Sequence, residues 1–108
     1  MDVDAPPDPA ADETSAPVRI RSIDSATIAV SGDIDAYSAP DLAAALTQPR
    51  VNRVLLTAVT FIDAAGLAVL LAAHQTRPHG LTLCSPSRSV LRLLDLTDHR
   101  TTFPRDKP

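Results

Sequence analysis

The chain past its N-terminus opens on an alternation of apolar and polar side chains. Residues 18–21 read Val-Arg-Ile-Arg, the pattern of a strand with one face buried. A second apolar run, residues 26–31, follows after Asp24 and Ser25, which suit a short turn. The two runs predict a β-hairpin whose second strand ends at residues 32–33.

Three helices are predicted by polar residues that precede apolar stripes. The first begins at Ser38, where a proline and an acid follow in the first turn, and it runs until the next proline. The second begins at Asp63 and covers residues 64–76. The third begins at Ser85 or Ser87 and carries a leucine-rich stripe.

Two further strands are predicted between these helices. Residues 53–57 are apolar through their middle, which indicates a central strand covered on both faces, and residues 81–84 form a shorter run. Residues 101–103 are expected to add a short edge strand or to pack as coil. The order β-β-α-β-α-β-α predicts an α/β fold, with a mixed, largely parallel four- to five-stranded sheet faced by helices.

Composition separates the N-terminus from the rest. The protein has 108 residues and a net charge of −3, and residues 1–17 hold five acidic side chains, four prolines and no lysine or arginine. Such a segment buries too little apolar area to offset its ordering entropy. We therefore predict a disordered, acidic, proline-rich tail at 1–17 and one domain at 18–105. The acidic balance and an aromatic content of 3% argue against a nucleic-acid-binding module.

Side chains that would carry catalysis or bind a metal are sparse. The one cysteine, Cys84, excludes an intrachain disulfide. It is expected to be buried and weakly reactive, and a redox switch through an intermolecular disulfide is the alternative. None of the three histidines has metal-ligand spacing, and His74 is predicted to lie on a helix surface. The sequence has neither a glycine-rich phosphate loop nor a nucleophile turn. We therefore expect a protein that is not an enzyme and uses no metal or cofactor.

The predicted location follows from the apolar stretches. The N-terminus is acidic and has no apolar run, so it does not resemble a secretory signal. The longest apolar stretch, residues 64–73, is about half the length of a membrane span. We expect a cytoplasmic protein that does not insert into a membrane.

Two short clusters stand out from the rest of the sequence. Residues 32–35 read Gly-Asp-Ile-Asp and lead into the helix start at Ser38. Residues 59–67 run from apolar side chains into Asp63, and Gly66 follows in the first helical turn. A glycine there lowers helix stability, which indicates a compensating role such as the close approach of another chain.

Together these clusters resemble the STAS domain, the fold of bacterial anti-sigma factor antagonists. The family's G-E-[LI]-D turn is matched by residues 32–35, and its V-x-F-[IM]-D-S-[ST]-G-L segment by residues 59–67. A third motif, S-P-x-V-x-x-L-[LF]-x-[LM]-[ST]-G, is matched from Ser85 to Thr97, with Phe103 in the stretch beyond it. The resemblance spans about residues 18–105, with the three motifs in the family's order.

The chain departs from the family pattern in three places. In the antagonists the serine after the motif aspartate is phosphorylated by the partner kinase, whereas this chain has Ala64 there and Ala65 next. The family often has an acid or amide at the end of the third strand, and none stands between Arg53 and Phe61. Asp98 replaces the late family glycine. The resemblance therefore implies a member that cannot accept a phosphoryl group at Ala64.

The function that the resemblance implies is that of a non-enzymatic regulatory binding domain, similar to an anti-sigma factor antagonist but lacking the phosphorylatable serine. Its partner would be an anti-sigma factor of the histidine-kinase-like ATPase fold, and binding would release a sigma factor. The contact surface would lie at the start of the second helix, beside the loop that precedes the first. The predicted partner-binding residues are Asp33, Asp35, Ser38, Asp63, Ala64, Ala65, Gly66 and Leu67.

Two other functions stay open at this point. Stand-alone STAS proteins also resemble subunits of ABC-type lipid-transport complexes, whose helix starts are similar to residues 63–67. A small-ligand sensor is the second alternative, because strand-to-helix ends form pockets. The gene neighbourhood separates the two STAS roles: a sigma or anti-sigma gene would favour the antagonist, and a transporter operon would favour the lipid-transport subunit.

Overall fold

A computed structural model describes residues 17–106 of the chain. The predicted tail lies outside these residues except for Pro17, so it stays a prediction. The strands are β1 (Arg19–Ser22), β2 (Thr27–Ile34), β3 (Arg53–Ile62), β4 (Thr82–Cys84) and β5 (Arg105–Asp106). The helices are α1 (Ala39–Ala45), α2 (Ala64–Gln75) and α3 (Arg88–Leu96). Within residues 17–106, no helix combines the length and the apolar content needed to cross a bilayer.

The strands form one sheet in the order β1-β2-β3-β4-β5. β1 and β2 pair antiparallel as the predicted hairpin, and every later neighbour in the sheet is parallel. A helix connects each parallel pair, because parallel strands need a crossover. The predicted mixed, largely parallel sheet faced by helices is confirmed.

β3 is longer than its pattern indicates. The sequence predicted a strand that ends at residue 57, but β3 continues to Ile62. Its pairing with β2 changes register twice, so β3 carries an extra residue between Leu55 and Ala58 and another between Val59 and Phe61. These bulges break the period of two that marks a strand in a sequence. The second half of β3 therefore has no regular alternation from which a strand could be read.

Residues 101–103 were expected to form an edge strand or to pack as coil, and the coil alternative is confirmed. Residues 101–103 form no strand; instead Phe103 packs into the core with 3% of its surface exposed. The strand follows at Arg105–Asp106, where it pairs parallel with β4 at the edge of the sheet.

One contiguous apolar cluster forms the core. Its fully buried side chains come from both strands and helices, and they include Ile34, Leu42, Leu56, Leu70 and Leu94. α1 packs against α2, and α3 packs against β3. The starts of α1 and α2 are thereby held directly beyond the ends of β2 and β3, where both sequence clusters lie.

Candidate functional site

The two sequence clusters meet at the carboxyl ends of β2 and β3. Ile34 and Ile62 are partners in the parallel register, so Asp35 and Asp63 leave the sheet side by side. The backbone N–H of Asp63 donates to the carbonyl of Ile34 at 3.1 Å, which ties the two strand ends together. Residues 33–38 and 61–65 form what we call the carboxyl-end surface.

The loop between β2 and α1 is fixed by the Asp35 carboxylate. Its Oδ1 accepts hydrogen bonds from the N–H groups of Ser38 at 3.1 Å and Tyr37 at 3.0 Å. These bonds, that of Ser38 first, hold the pKa of Asp35 below its ordinary value of 3.8, because they stabilise the charged form. The anion is thus part of the loop's structure.

Ser38 stands at the predicted N-cap position of α1, but its side chain makes no capping bond. Its Oγ instead accepts from the N–H of Asp35 at 2.9 Å and donates to the carbonyl of Asp33 at 3.0 Å. The helix therefore starts where predicted, but the hydroxyl of its N-cap serine does not cap it. The Ser38 hydroxyl bonds within the loop instead of to the first turn of α1, because the loop bonds close a turn only a few residues long.

Asp63 caps α2 as predicted. Its Oδ1 accepts from the N–H groups of Ala65 at 2.9 Å and Gly66 at 3.2 Å. Two of the donors that a helix start leaves without partners are thus satisfied by a carboxylate at the positive end of the helix dipole. Ala64 is exposed and Ala65 is half-buried just beyond this cap.

Gly66 and Leu67 lie beneath the carboxyl-end surface. A Cβ at Gly66 would come within 2.6 Å of Ile34 Cγ2 and 2.9 Å of Ile62 Cγ1, so only glycine fits. Leu67 is in the core with 5% exposed. The glycine in the first turn is thus explained by packing within this chain, and the approach of another chain is not needed to account for it.

Asp33 lies on the opposite face of the sheet from Ile34, since successive strand residues point to opposite faces. Its Oδ1 accepts a hydrogen bond from the hydroxyl of Thr60 on β3. Phe61 is its register partner. The eight predicted site residues therefore divide: six belong to the carboxyl-end surface, and Gly66 and Leu67 support it from inside.

Comparison with known proteins identifies the family. The family model described as "Mlab, STAS domain" matches residues 19–101, which is most of the chain. The chain belongs to the STAS domain family. The resemblance drawn from the three motifs is thereby confirmed.

The relatives of this STAS domain carry one function in their names. It is 34% identical over 88 residues to the "Anti-sigma-B factor antagonist" of Listeria monocytogenes, covering 74% of this chain and 77% of that protein. An anti-sigma factor antagonist from Mycobacterium paratuberculosis has a similar structure, with a TM-score of 0.65, 26% identity and coverage of 82% and 83% of the two chains. The antagonist SpoIIAA in its unphosphorylated form shares the fold alone, with a TM-score of 0.60, 15% identity and coverage of 83% and 88%.

Two exposed aromatic residues on the carboxyl-end surface were missing from the predicted site. Tyr37 has 94% of its surface exposed and Phe61 has 48%. Phe61 is a position of the second motif and Tyr37 lies inside the loop predicted to border the contact surface, but neither is among the eight predicted residues. The signal that could have pointed to Tyr37 is an aromatic residue inside an Asp-x-x-Ser turn, since turns face solvent.

His74 and Cys84 lie away from this surface. The prediction of a surface His74 is wrong: the residue is half-buried, its Nδ1 accepts from the N–H of Leu81 at 2.9 Å, and its ring lies 5.0 Å from that of Phe103. It joins α2 to the strand that follows. Cys84 is 2% exposed, so its predicted burial is confirmed. Among residues 17–106, no three metal-binding side chains come together.

Two open grooves of this STAS domain also lie elsewhere. One, of about 570 Å³, runs between α1 and α2 and is lined mainly by alanine, leucine and valine side chains. The other, of about 400 Å³, crosses β1, β2 and β3 beside Arg19 and Arg21. Neither groove is lined by any of the eight predicted site residues.

Proposed function

We propose that this STAS domain is an anti-sigma factor antagonist that acts by binding, without catalysis, through its carboxyl-end surface. The partner is an anti-sigma factor of the histidine-kinase-like ATPase fold in the bacterial cytoplasm, and its capture releases a sigma factor. The observation that supports the proposal best is the small-residue start of α2, where Ala64 is exposed and Ala65 half-buried, in a chain whose curated relatives are named as antagonists.

The local chemistry of the surface suits binding. Asp35 and Asp63 each direct one carboxylate oxygen at backbone N–H groups of their own chain, so they build the surface. The methyl groups of Ala64 and Ala65 leave room above the helix start for a partner backbone. A partner with basic groups would meet the remaining carboxylate charge of this end.

Ala64 determines how such a binder is controlled. Alanine has no hydroxyl, so it cannot accept a phosphoryl group. A phosphate at this position would add nearly two negative charges beside Asp63 and would carry a desolvation cost at an interface. This chain is therefore held in the state that an unphosphorylated serine would give. Its control comes from its abundance or from another site.

Substitution of Ala64 by glutamate tests the surface directly. Ala64→Glu would place an unpaired carboxylate at the interface centre, where burial costs several kcal/mol. The fold should remain intact because acids are favourable in the first turn of a helix. We expect binding to an anti-sigma factor of the same genome, measured by calorimetry, to weaken at least about ten-fold.

The matched control is Ala44→Glu, which puts the same charge on an exposed alanine near the far end of α1. It should bind within about two-fold of the parent, because a charge remote from an interface has little effect. Equal binding by the parent and a folded Ala64→Glu variant would remove the start of α2 from the interface.

The two alternative functions gain no further support. The curated relatives from Listeria are named as anti-sigma-B factor antagonists, and this name does not favour the lipid-transport alternative. The groove between α1 and α2 is mainly apolar and open, whereas a small-molecule site needs a few convergent polar groups.

A further inference from the structure

The aromatic side chains of this protein are distributed unevenly. The sequence has one tyrosine, two phenylalanines and no tryptophan. Phe103 is buried in the core, whereas Tyr37 is 94% exposed and Phe61 is 48% exposed. Both exposed rings belong to the carboxyl-end surface, Tyr37 in the loop after β2 and Phe61 opposite Asp33 at the end of β3. Large aromatic side chains left in water at one end of a small domain are typical of a surface that another protein covers.

The backbone beneath Tyr37 is fixed by hydrogen bonds inside its own loop. The N–H of Tyr37 donates to Asp35 Oδ1, and the N–H of Ser38 donates to the same oxygen. The N–H of Ala39 also donates to the carbonyl of Asp35, at 2.8 Å. The base of the side chain is therefore ordered before a partner arrives, which reduces the entropy lost on binding. An exposed aromatic residue on such a loop is well suited to be an anchor.

The segments that build the carboxyl-end surface carry charges of one sign. The segments 31–49 and 54–73 contain Asp33, Asp35, Asp41 and Asp63 and no lysine, arginine or histidine. These segments include the whole carboxyl-end surface and the first turns of both helices beside it. A complementary partner therefore carries lysine or arginine residues around the site that receives the ring.

We propose that Tyr37 is the principal anchor of the anti-sigma factor interface, and that it inserts into an apolar pocket of the partner bordered by lysine or arginine side chains. The inference rests on the proposed function and adds to it the residue that supplies most of the affinity. Buried tyrosines near an interface centre commonly dominate binding, while the contacts around them mainly exclude water. The acidic residues then set the association rate and the orientation, and the ring sets the dissociation rate.

The experiment titrates the full-length protein with each anti-sigma factor encoded in the same genome, purified singly, by calorimetry and surface plasmon resonance. Tyr37→Ala should weaken binding by about 30-fold, mainly through faster dissociation. Tyr37→Phe keeps the ring and should stay within about three-fold of the parent. The matched control is Leu96→Ala, which truncates a side chain that is 73% exposed on the last turn of α3, and it should stay within about two-fold.

The outcomes separate this inference from the proposed function. If an anti-sigma factor binds and Tyr37→Ala behaves like Leu96→Ala, the anchor is wrong and the antagonist function stands. If Tyr37→Phe loses as much as Tyr37→Ala, the hydroxyl carries the contact and the apolar pocket is wrong. If no anti-sigma factor binds, both proposals fail. A concentration-dependent dimer that Tyr37→Ala dissolves in light scattering would assign the ring to a second copy of this chain and overturn the inference.

Discussion

The two ends of the helix pair α1 and α2 satisfy their unpaired backbone groups with side chains of opposite charge. Helix starts leave backbone N–H groups without partners, and helix ends leave carbonyls. At the carboxyl-end surface, carboxylates accept hydrogen bonds from backbone N–H groups. Asp63 accepts from the first turn of α2, and Asp35 accepts from the loop before α1. At the other end the carbonyls are served by Arg77, which is 7% exposed.

Arg77 acts as a buried clamp between the two helix ends. Its guanidinium donates to the carbonyls of Leu46 and Gln48 after α1, of Ala73 in α2, and of Val51 before β3. Burial lowers the pKa of Arg77, although a guanidinium stays protonated in proteins. The carboxyl-end surface, with Asp35 and Asp63, is therefore the open end: its charged groups lie at the surface, where a partner can reach them. The end held by Arg77 is the closed end, because the charge there is buried by residues of the same chain.

The largest expected effect is at the closed end. Arg77→Met removes every donor of the clamp, so carbonyls from three segments lose their bonds to the guanidinium. The carbonyls of Gln48 and Ala73 keep only their bonds from the N–H of Val51 and the hydroxyl of Thr76. We expect a loss of about 3 kcal/mol in the free energy of unfolding, measured by urea denaturation. Arg50→Met, at an exposed arginine in the same connection, is the control and should change the free energy by less than about 0.5 kcal/mol. If Arg77→Met matched that control, the clamp would contribute nothing to stability.

Gly66→Ala tests how tightly the start of α2 packs on the sheet at the open end. Alanine normally raises helix stability over glycine by about 1 kcal/mol. At Gly66, however, its Cβ would lie 2.6 Å from a branched Ile34 side chain that has little freedom to move. We expect Gly66→Ala to lower the free energy of unfolding by about 1–2 kcal/mol in a thermal or urea melt. A rise in stability would mean that the helix start can lift from the sheet without cost.

The C-terminal end of α3 contains a strained residue whose repair should be favourable. Asp98 has φ +63°, and the N–H of His99 donates to the Leu94 carbonyl at 2.7 Å while that of Asp98 reaches Asp95 at 3.3 Å. This is a Schellman ending of α3, at a position that favours glycine. Asp98→Gly should raise the free energy of unfolding by about 0.5 kcal/mol in urea denaturation. Arg92→Gly, inside α3, should lower it by about 1 kcal/mol as the contrasting control.

The smallest effect concerns the charge of Asp35. Its pKa is lowered in the folded protein, so its contribution to stability is present above its ordinary value of 3.8 and is lost as the pH falls through the folded pKa. Asp35→Asn keeps the oxygen that accepts from Tyr37 and Ser38 but removes the titration. The stability advantage of the parent over this variant should be visible near neutral pH and shrink below about pH 3.8.

The parent and this variant share a second carboxyl that behaves in the same way. The pKa of Asp24 is lowered chiefly by the N–H of Ala26, and its loss in acid cancels when the two proteins are compared. A stability difference that stays constant between neutral pH and about pH 2.5 would show that the anion of Asp35 does not hold the loop.

Much of the fold and part of the site could be predicted because the forces that produce them act over a few residues. The hairpin at 18–31, the start of α2 at Asp63 and the start of α1 after Ser38 all follow from local alternation and local polar groups. The motifs at 32–35 and 59–67 sufficed to indicate the family. Ala64 is likewise a property of the sequence alone, since the absence of a hydroxyl requires no structure.

Contacts between distant residues decided the rest. The bulges that extend β3 arise from its pairing with β2, and the need for Gly66 arises from Ile34 on another element. Arg77 resembles any charged surface residue until the loop about thirty positions earlier supplies its carbonyls. The exposure of Tyr37 likewise depends on how two strand ends and a turn come together. The physical reason is common to these cases: burial and hydrogen-bond partners are properties of neighbours in space, and most of those neighbours are far apart along the chain.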